Sequence, residues 1–161
     1  MSHEVTKTSA ALLLLAAFGV TPAAASPVST GGSTALAVAA VIAPYSPLLS
    51  AYEKRAIAGL FNGNARAGKK LTVTAESIIC RVGNVDITAR SCELTFDKGK
   101  RTVKGREANE VNATLTAAGA TSEGAAGSII QTVTKLSCTL DQNVIKDRAG
   151  GGADCSFATD Q

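Results

Sequence analysis

Residues 71–96 read LTVTAESIICRVGNVDITARSCELTF, and the apolar pattern of this stretch decides the fold. Leu71, Val73 and Ala75 alternate with Thr72, Thr74 and Glu76, the period of a strand with one dry and one wet face. Gly83-Asn84 is a turn dipeptide, and Val85, Ile87 and Ala89 alternate again after it. Beyond Arg90 the apolar positions become Cys92, Leu94 and Phe96, which is the opposite parity. A bulge or break near Arg90-Ser91 returns both sets to the core face. The segment reads as antiparallel strands, but its turn and its cysteines disagree. A two-residue turn at Gly83-Asn84 sets Cys80 opposite Ile87, whereas a bridge from Cys80 to Cys92 needs a wider loop centred near Asp86.

The flanks add helices and further strands. Upstream, Ser46-Pro47 is a plausible helix start, and Leu49, Tyr52, Ala56 and Leu60 recur at helical spacing until Asn62-Gly63. Downstream, Asp97-Lys98-Gly99-Lys100 is a turn signal, followed by a short basic edge strand from Arg101 to Lys104. Helical spacing resumes at Arg106 with Ala108, Val111, Leu115 and Ala118, and Gly119 ends it. Thr121 or Ser122 caps a further expected helix with Ala126, Ile129, Val133 and Leu136 inside, weakened by Gly124 and Gly127. Leu136–Leu140 and Ala153–Ala158 read as strands joined by a loop holding Gly150-Gly151-Gly152. Runs of strands rather than strict alternation with helices give an α+β class. A small antiparallel sheet of about four to six strands packs with two or three helices. The order also hints at an internal duplication, each half helical first and ending in a cysteine-bearing strand pair.

The N-terminus reads as a secretory signal. Lys7 precedes an apolar run from Ala10 to Val20, and Ala23-Ala24-Ala25 supplies a small-residue cleavage pattern, with cleavage expected after Ala25. This run and a second one, Ala35 to Ala43, are both too short to cross about 30 Å of hydrocarbon, so no span remains after cleavage. The domain plan is a signal at 1–25, an apolar and Gly-Ser-Thr-rich leader at 26–45, and a single disulfide-stapled domain at 46–161. The leader packs on the domain or stays mobile. With 45% hydrophobic and 18% charged residues the chain is globular rather than disordered. Aromatics are only 4%, so a core of Ala, Val, Ile and Leu buries less area per residue, and cross-links compensate.

The cysteines of an exported chain, Cys80, Cys92, Cys138 and Cys155, read as structural disulfides. Sequence alone leaves three pairings open. The preferred one is local, Cys80 with Cys92 and Cys138 with Cys155, each stapling adjacent strands and contributing on the order of 3 kcal/mol by loop entropy. Zinc sites favour closely spaced cysteines or added histidines, and a redox dithiol wants a two-residue spacing; neither pattern occurs. The single histidine, His3, lies inside the signal. Imidazole acid–base steps, histidine triads and histidine-ligated metals are therefore excluded from the mature chain, and no metal or cofactor is expected.

Several motifs invite a site and fail on context. Gly63, Gly68 and Lys69 keep phosphate-loop spacing, but Lys70 replaces the Ser or Thr that holds magnesium, and the loop follows a helix instead of a strand. Asn112-Ala113-Thr114 is a glycosylation acceptor sequence on an expected helix. Asp86, Glu93, Asp141, Asp147 and Asp154 could supply paired carboxylates, without a spacing that forces them together. The basic cluster Lys98, Lys100, Arg101, Lys104 and Arg106 is the surface feature that supports a hypothesis, since the whole chain carries only +3. Such a hairpin could contact phosphates, acidic polysaccharide or an anionic membrane surface. An edge hairpin kept soluble by lysines is the competing reading. Nucleic acid is not expected, because no aromatics interleave with the charges.

In outline, a small exported α+β protein with a disulfide in each half looks like the secreted β-lactamase-inhibitor proteins. That resemblance implies a protein target, although the aromatic-rich binding face associated with those inhibitors has no counterpart in this sequence. The expectation is a secreted or periplasmic, non-catalytic binding or structural protein of a bacterial-type envelope, with an envelope protein or anionic polymer as partner. A secreted inhibitor and a small histidine-free hydrolase are the alternatives.

Overall fold

The structure is a computed structural model and describes residues 25–64, 67–83, 89–124, 129–147 and 151–160. The expected signal up to Ala24, the Val85 and Ile87 alternation, Asp86, Ala126, Gly127 and Gly150 lie outside the described residues. Among those described, the strands are β1 (Ser26–Gly31), β2 (Leu71–Val82), β3 (Ala89–Phe96), β4 (Gly99–Lys104), β5 (Ser122–Glu123), β6 (Ile129–Leu140) and β7 (Ala153–Thr159). The helices are α1 (Gly32–Ile42), α2 (Ala51–Phe61), α3 (Gly105–Ala117) and the short α4 (Gln142–Asp147). Every strand pairing is antiparallel. The order across the sheet is β1-β7-β6-β2-β3-β4, with β5 on β6. The class is α+β as expected, and the seven-stranded sheet is larger than four to six strands.

Both expected disulfides are present, Cys80–Cys92 and Cys138–Cys155, each between directly opposed residues whose Cα atoms lie 4.0 Å apart. The tight turn at Gly83-Asn84 is what yields. β2 runs to Val82 and β3 resumes at Ala89, so a wider loop joins them. The register passes from Arg81↔Ser91 to Val82↔Ala89, which leaves Arg90 as the extra residue of a bulge at the place the parity change demanded.

Three other expectations are corrected. Residues 26–45, set apart from the domain at 46–161, belong to it and take the packed of their two expected outcomes: β1 pairs with β7, and α1 buries Ala35, Leu36, Val38, Ala39 and Ile42 in the same core as the sheet. The helix expected from Ser46 starts at Ser50, because Ser50 and Glu53 form a reciprocal capping box. The helix expected over Ala126–Leu136 is strand β6. Its buried positions are Gln131 and Val133, then Leu136, Cys138 and Leu140, and the parity switches at Lys135, a non-glycine residue with φ of 54°. That switch places apolar residues at 129, 133 and 136, which imitates helical spacing in a strand.

The strand order has an internal pseudo-two-fold arrangement, divided differently from the halves expected of a duplication. β2-β3-β4-α3 corresponds to β6-β7 followed by β1-α1, about a pseudo-two-fold axis between the antiparallel partners β2 and β6. In one half Cys92 faces Val103 on the edge strand; in the other Cys155 faces Thr30. Each edge strand passes into its helix through a glycine with positive φ, Gly105 at 60° and Gly32 at 66°. One turn later Ala108 and Ala35 sit at the same place, their carbonyl oxygens each 3.3 Å from the bridged Sγ of Cys92 and Cys155. A half-cystine carries no proton, so these are packing contacts and not hydrogen bonds. Val111 and Leu115 of α3 match Val38 and Ile42 of α1, all fully buried. The N-terminal β1-α1 thus completes the half whose cysteine strands come last in the chain.

Candidate binding face

α1 and α3 lie side by side on one face of the sheet, and α2 rests on α1 through Ile57 and Leu60. Alternation sends the remaining strand side chains to the opposite face, which no described helix covers. The registers lay these side chains out in rows. On the β2-β3-β4 side the rows are Arg81–Ser91–Lys104, Ile79–Glu93–Thr102 and Ser77–Thr95–Lys100. On the β6-β7-β1 side they are Thr139–Asp154–Gly31 and Ser137–Ser156–Ser29, continued on β2 by Thr72 and Thr74.

The five cations expected to act together are divided by the same alternation. Lys100 and Lys104 point to the outer face, while Arg101 shares the parity of buried Val103 and lies on the helix side. Lys98 occupies the two-residue turn between β3 and β4. Arg106, in the first turn of α3, pairs with Glu110 at 3.2 Å, and Lys100 pairs with Glu93 at 3.4 Å. Both are exposed pairs, a type that contributes about 0–1 kcal/mol, so neither ties its cation down. The outer face gains a cation the basic cluster did not include, since Arg81 is joined to Lys104 through the row of Ser91. Only the strand register reveals that neighbour, because Arg81 and Lys104 are far apart in sequence.

Other sequence motifs find structural roles. Gly68 donates its N–H to Asn143 Oδ1 at 3.3 Å and its carbonyl accepts from Asn143 Nδ2 at 3.1 Å, so the phosphate-loop look-alike is clamped to α4. Gly152 has φ of 85°, and a Cβ there would lie 2.8 Å from Val144 Cβ, so this glycine is required by the fold. Asn112 of the glycosylation sequence is 8% exposed, inside the α3–sheet interface. Its carbonyl accepts from Thr116 Oγ1, which in turn accepts from the fully buried Gln131 Nε2 at 2.8 Å. Asn112 Nδ2 and Gln131 Oε1 are buried with no partner among the described residues. The symmetry-related positions are Ala39, Ala43 and Val73, all apolar and buried, so the fold itself does not call for this polar trio. Sequence inspection offers no signal for it.

Among the described residues no group of His, Cys, Asp and Glu gathers to hold a metal, and no helix is long and apolar enough to cross a membrane. The phenol of Tyr45 titrates above its ordinary range, first because it is partly buried and then because Glu107 and Glu110 oppose a phenolate. Two depressions open on the sheet, one of about 580 Å3 around Thr74, Glu76, Asp97 and Lys135 and one of about 430 Å3 around Gly31 and Asp154. Compared with protein-family models, with curated proteins and with solved structures, the chain shows no match.

Proposed function

We propose that the protein is an exported, non-catalytic binding domain that meets anionic polymer or an anionic surface with the uncovered face of its sheet. The observation that carries this reading is the placement of Lys100, Lys104 and Arg81 on one face, in two rows four residues apart along β3, away from every described helix. Cations on a flat sheet face meet a repeating anion with little rearrangement and with an attraction that salt screens. Export is supported by the two disulfides, which belong to oxidising compartments, and by the signal pattern in the sequence. The inhibitor reading is weaker. The exposed aromatics Tyr52 and Phe61 sit at opposite ends of α2 and on opposite sides of it, so they do not form one contact patch.

The test is retention on immobilised anionic polymer at increasing salt. Wild type should be held at low salt and released as ionic strength rises, and the variant Arg81→Ser, Lys100→Ser, Lys104→Ser should pass through. Equal retention of both proteins removes the basic face from the account. A stoichiometric protein captured from envelope fractions, with no polymer binding, supports inhibition instead.

A further inference from the structure

The β6-β7-β1 half of the outer face, whose one cation among the described residues is Lys135 of β6, carries an open polar depression. It is lined by Ser29, Gly31, Ser137, Thr139, Asp154 and Ser156, with a volume of about 430 Å3. The pseudo-two-fold relation supplies an internal control. At the matching positions the other half has Thr102, Lys104, Ile79, Arg81, Ser91 and Glu93, so four long side chains are replaced here by Gly, Ser, Thr and Ser. Gly31 is the most telling of these. Its φ of −134° is extended backbone open to any residue, and Lys104 occupies the equivalent place at −136°. It also stands at the N-cap of α1, where Ser, Thr, Asp or Asn would add helix stability. Neither conformation nor capping calls for glycine. What the glycine does is leave room for the carboxylate, since a Cβ at Gly31 would lie 3.3 Å from Asp154 Oδ1 and push that side chain aside by a few tenths of an ångström.

Among the described residues, Asp154 and the hydroxyls of Ser29, Ser137, Thr139 and Ser156 make no side-chain hydrogen bond within the protein. A carboxylate accepts two hydroxyl donors, and each Ser or Thr both donates and accepts. This set suits a ligand rich in hydroxyl groups and repels a bare phosphate. From this pocket, we infer that it holds the hydroxyls of one sugar unit of an acidic polysaccharide whose carboxylates lie on the Arg81, Lys100 and Lys104 rows. The inference rests on the anionic-face reading and narrows its ligand to a polyuronate. The Thr72 and Arg81 ends of β2 are about 30 Å apart at roughly 3.3 Å per residue, so one extended polymer reaches both ends.

The experiment compares retention on polygalacturonate and on polyphosphate for wild type, Asp154→Ala, Gly31→Val and the Lys100→Ser, Lys104→Ser double variant. Intact bridges and unchanged far-UV circular dichroism confirm folding. Asp154→Ala removes the carboxylate, and Gly31→Val crowds it and displaces it from its place. Each should weaken polygalacturonate binding about tenfold, the order set by losing one charge-assisted hydrogen-bonding group, and leave polyphosphate retention unchanged. The lysine variant should lose both polymers. If both pocket variants keep wild-type retention on polygalacturonate, the sugar pocket is wrong while the basic face stands. If the lysine variant holds both polymers as wild type does, the basic face is wrong.

Discussion

Replacing Gln131 by methionine should stabilise the protein, although it removes a hydrogen bond from the core. Gln131 is fully buried, its Nε2 donates to Thr116 Oγ1 at 2.8 Å, and its Oε1 has no partner among the described residues. The bond contributes about 1 kcal/mol net, while an unpaired buried acceptor costs about 1–3 kcal/mol. Methionine keeps the length of the side chain, so the cavity penalty is small. The balance favours Gln131→Met by roughly 1 kcal/mol. Thr116→Val should have the reverse effect in wild type, costing about 2 kcal/mol because it strands Nε2 beside the already stranded Oε1. In the Gln131→Met background the same change removes only the bond to the Asn112 carbonyl of its own helix, and its cost should fall to a few tenths of a kcal/mol. Urea unfolding with disulfides intact measures all four proteins, and an unchanged m-value confirms that the midpoints report stability. A Gln131→Met protein less stable than wild type, or a Thr116→Val cost that is equal in both backgrounds, would refute the reasoning.

Three further expectations follow from the fold. The Cys80–Cys92 and Cys138–Cys155 bridges close separations of 12 and 17 residues, so removing either pair should cost about 3 kcal/mol. Removing both takes away a large share of a total near 5–15 kcal/mol; a urea midpoint unmoved by reductant would contradict this. Ser26 faces Thr159 as Gly99 faces Phe96, so a permuted chain joining Thr159 through Asp160-Gln161 to Ser26 and opened between Asp97 and Lys98 should fold with the same bridges. Circular dichroism and non-reducing peptide mapping check it, and a chain that fails to fold or forms other bridges argues against equivalent halves. Spectrophotometric titration should show a phenol ionising above the usual value of about 10, which Tyr45→Phe removes. Because the raised value favours the protonated folded form, the stability Tyr45 contributes is present below its unfolded pKa and is lost as pH rises through the folded one.

The local pairings were legible because cysteine spacing and strand parity carry them. Cys92, Leu94 and Phe96 against Val85, Ile87 and Ala89 demanded a bulge, and Arg90 is that bulge. Gly83-Asn84 misled because turn propensity is weaker than a covalent bridge combined with a buried register. The stretch Ala35–Ala43 was hard to place beside a signal, since nothing local distinguishes a buried Ala-rich helix from a mobile leader. Its burial depends on α3 and β7, both distant in sequence. β6 was misread as a helix for a local reason with a long-range cause, the parity switch at Lys135. As for the candidate face, the lysines were visible as a run, but alternation separates Arg101 from Lys100 and Lys104, and register adds Arg81. Gly31 and Asp154 were invisible as a pair, because their meeting requires β1 to lie on β7.

The most direct test of the binding account is an acetylation footprint of the lysines with polygalacturonate bound and free. Lys100 and Lys104 should be protected in the bound protein, while Lys54 on α2 reacts as in the free one. Protection of Lys54 with Lys100 and Lys104 fully reactive would contradict it.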